Sequence, residues 1–128
     1  MATKNLWGDL PTGEDIRPPV LVLREQAGIL GRATKGVLEG LVTTSREDDD
    51  FELELRIVAP ALDRYQYTVL RVYHGVELYP VRVAPPEIPR HEWKRCDTEE
   101  AFEAALAKQL SSPRVKHVIA SLDRKSVV

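Results

Sequence analysis

The residues best suited to chemistry are one cysteine and three histidines, which could form a cysteine–histidine nucleophile or hold a zinc ion. His91 and Cys96 share one proline-rich segment, and Asp97 follows the cysteine. His117 stands beside an apolar helical stripe, and His74 precedes a glycine between two β-prone stretches. No spacing matches a nucleophile elbow or a multi-thiolate site. We therefore predict a structural thiol and surface imidazoles, with no catalytic residue, no metal site and no cofactor.

The acidic run in SREDDD, residues 45–50, could suggest a divalent cation. Its spacing lacks the alternating ligands and the glycine of an EF-hand loop. A run of like charge between two apolar stretches is typical of a solvated loop. We interpret these residues as a charged hairpin loop that keeps the protein soluble.

The same region offers an alternative function. A helix followed by strands that carry acidic residues resembles the restriction-endonuclease-like nucleases, whose strands present an Asp and then Glu-x-Lys around a metal. The nearest match is Asp50 with Glu54-Leu55-Arg56, where Arg replaces Lys and both parts lie on one strand. The resemblance implies a metal-dependent nuclease, which stays an alternative hypothesis.

Composition is that of an ordinary folded protein. The 128 residues fit one domain, and 43% of them are hydrophobic and 30% charged. A net charge of -2 gives no global field that would recruit nucleic acid or an anionic membrane. The N-terminus lacks the apolar core of a signal peptide, and no apolar run is long enough to span a bilayer. We expect a cytoplasmic protein without membrane contact.

Periodicity predicts an α+β fold of one N-terminal helix, a four-stranded antiparallel meander and two C-terminal helices. Short links between the strands favour antiparallel neighbours, because a parallel crossover needs a dozen or more residues. Residues 1–17 are predicted to be an extended arm and residues 18–128 a single α+β domain. The predicted helices cover residues 18–36, 97–110 and 111–125, and the predicted strands cover residues 36–44, 51–59, 65–73 and 76–83.

Single residues refine these elements. Gly28 and Gly31 inside the first helix indicate that this helix approaches the sheet closely. Asp97 is predicted to cap the second helix, and Ser112 is predicted to cap the third. In the arm, Trp7 is expected to pack onto its own domain, while the alternative is that LWGDLP, residues 6–11, binds a partner.

The pair His74-Gly75 predicts a two-residue type I′ hairpin turn, because such turns need positive φ at their central positions. That turn would place Arg71 opposite Leu78 and Tyr67 opposite Arg82. Both faces of the hairpin would be apolar, so helices are expected on both sides of it. Pro80 indicates that the fourth strand is an edge or contains a bulge.

These features favour a small protein-interaction module over an enzyme, of the bacterial immunity-protein, antitoxin or adaptor kind. The hairpin from Tyr65 to Val83 is the predicted site for a protein partner or for self-association, because tyrosine and arginine are enriched at energetic hot spots. The predicted partner-binding residues are Tyr67, Arg71, Tyr73, Leu78 and Arg82. The alternative is nucleic-acid binding by the basic cluster Arg90–Arg95, which contains a tryptophan that could stack on a base.

Overall fold

The computed structural model describes residues 3–13 and 15–127, so Met1, Ala2 and Glu14 of the predicted arm and Val128 lie outside the described residues. The α+β order is confirmed, with one N-terminal helix, an antiparallel sheet and two C-terminal helices. The helices are α1 Pro19–Ala33, α2 Glu99–Leu110 and α3 Pro113–Lys125. The strands are β1 Glu39–Glu47, β2 Asp50–Ala59, β3 Tyr65–His74, β4 Val81–Ala84 and β5 Lys94–Cys96. Short 3-10 turns occupy Pro60–Leu62 and Arg90–Glu92.

The sheet has five strands rather than the four predicted, in the sequential order β1-β2-β3-β4-β5. The additional strand, β5, lies in the segment predicted to be a proline-rich connection and pairs with β4. Three residues are too few to display an alternating pattern, so sequence periodicity could not reveal this strand. Because β5 lies outside β4, the prediction that the fourth strand is an edge is wrong.

The prediction of a two-residue turn at His74-Gly75 is also wrong. β3 continues through His74, which lies opposite Val81, so the connection runs over residues 75–80. Neither His74 nor Gly75 has a positive φ. Pro80 lies just before β4 and forms a cis peptide with Tyr79. Because it is outside the strand, its missing N–H does not interrupt the hydrogen bonds between β3 and β4. Gly75→Val is therefore not expected to strain the backbone.

All three helices lie on one face of the sheet, which we call the inner face. On β2, Leu53, Leu55 and Ile57 alternate with charged residues and belong to one buried cluster. The same cluster contains Leu23 of α1, Phe102 of α2 and Val115 of α3, together with core residues of β3 and β4. The expected division of the helices over both faces is therefore wrong. Burial of this continuous apolar layer is the main driving force for the fold.

Caps were predicted for α2 and α3, and the observed cap differs from the prediction at α2. Thr98, rather than Asp97, is the N-cap of α2, and its hydroxyl accepts a hydrogen bond of 3.1 Å from the Ala101 amide. Asp97 instead accepts a hydrogen bond of 2.7 Å from Arg95. The cap of α3 is confirmed, since the Ser112 hydroxyl accepts a hydrogen bond from the Val115 amide. Both caps satisfy amides that have no partner within the helix.

The close contact between α1 and the sheet involves a glycine of β1 rather than those of the helix. An ideal Cβ placed on Gly40 would lie 2.4 Å from the Cα of Ala27. At Gly28 the nearest atom would be the Nη1 of Arg32 at 3.2 Å, and at Gly31 it would be the Leu38 carbonyl oxygen at 3.9 Å. The prediction that the helix glycines press on the sheet is therefore wrong, and Gly40 is the residue that lets α1 sit on β1.

The start of α1 is tied to α2 through Arg17. Its guanidinium forms ion pairs with Glu25 of α1 and with Glu103 of α2, the latter at 2.9 Å. The Tyr79 hydroxyl donates a hydrogen bond of 3.1 Å to the Arg17 carbonyl oxygen, and the Tyr79 ring packs edge-on against Phe102. Before this anchor the described arm residues are exposed, including Trp7 at 82%. The expected packing of Trp7 onto its own domain is therefore not seen.

We predict opposite effects for two glycine-to-alanine changes. Gly40→Ala should lower the free energy of unfolding by about 1–3 kcal/mol, because its Cβ would overlap the backbone of α1. Gly28→Ala should raise it by up to about 1 kcal/mol, because its Cβ would meet only the end of a flexible arginine and alanine favours the helix. Urea unfolding of both variants measures the difference, and equal effects would contradict the assigned contact.

A second prediction concerns Tyr79. Burial, with the carboxylates of Glu99 and Glu103 next in effect, raises the pKa of Tyr79 to about 12 from its usual value of 10.0. Between these two values the unfolded chain releases this proton and the folded protein keeps it. The stability that protonated Tyr79 contributes below pH 10.0 is therefore lost as the pH rises through about 12. Phenolate absorbance should show a titration step near pH 12 that Tyr79→Phe removes, whereas identical titrations of the two proteins would refute the assignment.

Candidate partner-binding surface

The face of the sheet opposite the helices, here called the outer face, carries a row of polar side chains across four strands. Residues paired across an antiparallel ladder project to the same face, so the register defines this row. Tyr73 lies opposite Glu52 on one side and Arg82 on the other, and Arg82 lies opposite Arg95. A neighbouring row pairs Glu54 with Arg71 and Arg71 with Ala84.

Three of the five predicted partner-binding residues meet on this face. Arg71, Tyr73 and Arg82 are all half-buried and lie on adjacent positions of β3 and β4. The observed register places Tyr73 opposite Arg82 and Arg71 opposite Ala84, in place of the pairs that the predicted turn would create. The longer connection between β3 and β4 is the reason, because the loop length sets which residues pair.

Tyr67 lies on the inner face, so the structure does not bring it together with Tyr73 and Arg82. The pairing passes from Leu55–Leu70 to Arg56–Thr68, which leaves Val69 as an extra residue on β3. A β-bulge of this kind reverses the faces that follow it. Tyr67 therefore packs under α3, where its hydroxyl accepts a hydrogen bond from Arg114.

Leu78 is not part of the sheet. It lies half-buried in the connection between β3 and β4. Val76, in the same connection, is 87% exposed. The predicted hairpin with two apolar faces therefore does not form, because its residues are divided between the inner face, the outer face and this connection.

The outer face has a cover of its own over β3, built from two residues of the basic cluster Arg90–Arg95. Trp93 is 6% exposed, and its ring meets the Tyr73 ring edge-on at a centroid distance of 5.6 Å. The Trp93 Nε1 donates a hydrogen bond of 2.6 Å to the Ile88 carbonyl oxygen. The Arg90 guanidinium lies 4.5 Å from the centre of the Tyr73 ring and donates to Glu52 at 3.3 Å. This is a cation–π contact closed by an ion pair.

Charge on the outer face is largely paired, with one exception. Glu54 accepts from Arg56 at 2.5 Å and lies 3.1 Å from the Nε of Arg71, although that buried N–H has no aligned hydrogen bond. Arg95 is paired with Asp97. Arg82 forms no ion pair with any residue that the structure describes. Its guanidinium is thus the cation of this face that is available to an incoming carboxylate.

The arrangement disfavours stacking of nucleic-acid bases. Base recognition on a sheet needs an aromatic ring with an open face and cations that reach the phosphates. Trp93 is buried, and Arg90 covers the ring of Tyr73. Glu47 and Glu52 lie within 3.7 Å of Arg90 and offset its charge. Within the basic cluster Arg90–Arg95, Arg90 and Trp93 therefore cover part of the outer face.

The other residues considered for catalysis or metal binding do not come together in one site among the described residues. In the parts of the chain that the structure describes, no three His, Cys, Asp or Glu side chains group closely enough to hold a metal ion. Glu54, the nuclease-like glutamate, is held by Arg56 and Arg71. Burial raises the pKa of the Cys96 thiol, which favours the unreactive protonated form. His91 and His117 are exposed.

An apolar cavity of about 220 Å³ lies on the inner face, between α1 and the pair α2–α3. Its walls are almost entirely aliphatic and include Leu30, Leu110, Val115 and Ile119. A site for specific chemistry combines such walls with several converging polar groups. Here Gln26 and Arg56 are the polar lining residues, so the cavity lacks that feature.

None of the described helices is both long and apolar enough to cross a membrane. The candidate site is the outer face, where Arg82, which forms no ion pair with a described residue, lies beside Tyr73. Comparison of the chain with protein-family models, with curated protein sequences and with solved structures gives no match.

Proposed function

We propose that this protein is a small cytoplasmic protein-interaction module of the bacterial immunity-protein, antitoxin or adaptor kind, which binds a partner protein on the outer face of its sheet. The proposed contact residues are Arg71, Tyr73 and Arg82, with Arg90 joining them from the covering loop. Tyr67 and Leu78 are no longer included, because they lie away from this face. The protein is proposed to act by association rather than by catalysis.

The single observation that carries the proposal is the half-buried row of tyrosine and arginine on a sheet face that none of the described α-helices covers. Tyrosine and arginine contribute most to binding energy when they are held rigidly at the centre of a contact. The ring of Tyr73 is fixed between Trp93 and Arg90, so little side-chain entropy remains to be lost on binding. Preorganisation of this kind is typical of a recognition surface.

Charge indicates what the partner presents. Arg82 is half-buried and unpaired, and it lines a shallow depression with Asp50, Glu77 and Pro80 at the open end of the outer face. A carboxylate from a partner would form a charge-assisted hydrogen bond there. The neighbouring cations Arg90 and Arg71 are already paired with Glu52 and Glu54, so this face offers few free cations to the phosphates of a polyanion. The proposed partner is therefore a protein with an exposed acidic side chain, and nucleic acid is the less favoured alternative.

We expect Arg82→Glu to weaken partner binding by about 1–3 kcal/mol, because the new charge repels the partner's carboxylate. Folding should be unaffected, since Arg82 forms no ion pair with a described residue. The test is affinity capture from native-host lysate with wild-type protein and identification of the partner by mass spectrometry. Isothermal titration of the purified pair then measures the dissociation constant.

Arg124→Glu is the matched control, because Arg124 is an exposed arginine of α3, on the inner side of the sheet. It makes the same charge change and should leave binding unchanged. Equal binding by wild type and Arg82→Glu would reject the outer face as the contact. Recovery of nucleic acid in place of a protein, seen as absorbance near 260 nm, would favour the alternative function.

A further inference from the structure

The strand order leaves two sheet edges, and they differ in how they are protected. β5 is three residues long and carries Lys94 and Arg95. Short length and positive charge both discourage another strand from pairing. β1 is nine residues long, has no proline, and keeps an unbroken register with β2. Its central residues 40–45 are uncharged, so β1 has none of these protections over most of its length.

The backbone groups of β1 show which residues an added strand would meet. Glu47 and Asp50 flank a two-residue loop and pair directly, and such flanking residues exchange both backbone hydrogen bonds. Because the bonding alternates along an antiparallel strand, odd-numbered residues of β1 bond to β2 and even-numbered ones point outward. Gly40, Val42 and Thr44 therefore direct their N–H and C=O groups away from the sheet. Among the described residues no strand pairs with this outer edge.

The space beside this edge is open. A groove of about 500 Å³ runs between β1 and α1, lined by Arg24, Gly28 and Gly31 of the helix and by residues 39–42 of the strand. Neither glycine presses on the sheet, so their missing side chains leave this groove unfilled. The groove gives an approaching strand room beneath the rim of α1.

We propose that β1 pairs antiparallel with β1 of a second copy, joining two sheets into one of ten strands. A two-fold axis perpendicular to the sheet satisfies both exposed edges in one contact, because each edge supplies the groups that the other lacks. That axis keeps the faces aligned, so both copies of α1 lie on the same side and meet across their glycine-lined surfaces. Both outer faces then form one continuous surface.

Charge excludes one central register of this pairing. Side chains alternate between the two faces along β1, and paired residues of the two copies must project to the same face. The two-fold axis therefore passes through one residue of β1 and not between two neighbouring residues. An axis through Thr43 would place Glu39 opposite Glu47, and like charges opposite each other are destabilising. An axis through Val42 instead places Glu39 opposite Ser45. The proposed pairs are therefore Val42 with Val42, Leu41 with Thr43, and Gly40 with Thr44 of the other copy.

Sedimentation velocity of purified protein should show a dimer whose dissociation constant rises about tenfold or more in Thr44→Pro and in Thr44→Lys. Proline removes an N–H that points outward, so the monomer should keep its fold, and lysine places a charge at the new interface. Ala104→Lys, on an exposed position of α2, adds the same charge elsewhere and should leave the dimer intact. Circular dichroism checks the fold, and if Thr44→Pro unfolds, Thr44→Lys decides.

Cross-linking tests the register itself. Val42→Cys would place two thiols on residues whose Cα atoms lie about 5.5 Å apart across the axis, within the range of a disulfide. Oxidation should give a covalent dimer, while Arg46→Cys, far from the axis, should give none; Cys96 is buried and does not compete. A monomeric wild type, a dimer that survives Thr44→Lys, or a dimer that Val42→Cys fails to cross-link would each overturn the proposal. These outcomes are independent of partner capture by Arg82.

Discussion

The structure depends on the burial of one face of β2 against all three helices. Leu53, Leu55 and Ile57 form the centre of a single apolar cluster to which every helix contributes. Apolar burial is worth roughly 25 cal/mol per Å², so a sheet face that meets three helices dominates the stability of a chain this size. The same alternation places Glu52 and Glu54 on the opposite face. One constraint thus decides where the core lies and where a polar recognition surface can form.

Two local irregularities adapt the sheet to this layer. Gly40 lets α1 settle onto β1, because any side chain there would overlap Ala27. The bulge at Val69 turns Tyr67 towards α3, where Arg114 contacts both its hydroxyl and the Val69 carbonyl oxygen. The bulge moves Tyr67 from the outer face into the packed layer, and Gly40 keeps β1 in close contact with α1. What remains outside is therefore a smaller and more polar surface than the hairpin pattern indicated.

The outer face and the β1 edge offer complementary kinds of contact. The outer face presents fixed side chains, with Tyr73 held between Trp93 and Arg90 and with Arg82 unpaired. The β1 edge presents backbone groups, which recognise an extended strand with little regard to its side chains. Pairing at the edge leaves the outer face free and extends it across two copies. The proposed self-association and the proposed partner binding would thus be compatible in one assembly, and the first would make the second bivalent.

The sequence by itself determined the α+β class, the three helices, the cap at Ser112 and the first three strands, because these features depend on local periodicity and turn chemistry. It also identified Arg71, Tyr73 and Arg82 as a group. Only the tertiary structure decided the fifth strand, the register after His74 and the bulge at Val69, since each depends on pairing between distant segments. Because a shift of one residue moves a side chain to the opposite face, that pairing separated Tyr67 from Tyr73 and brought Arg90 onto the outer face.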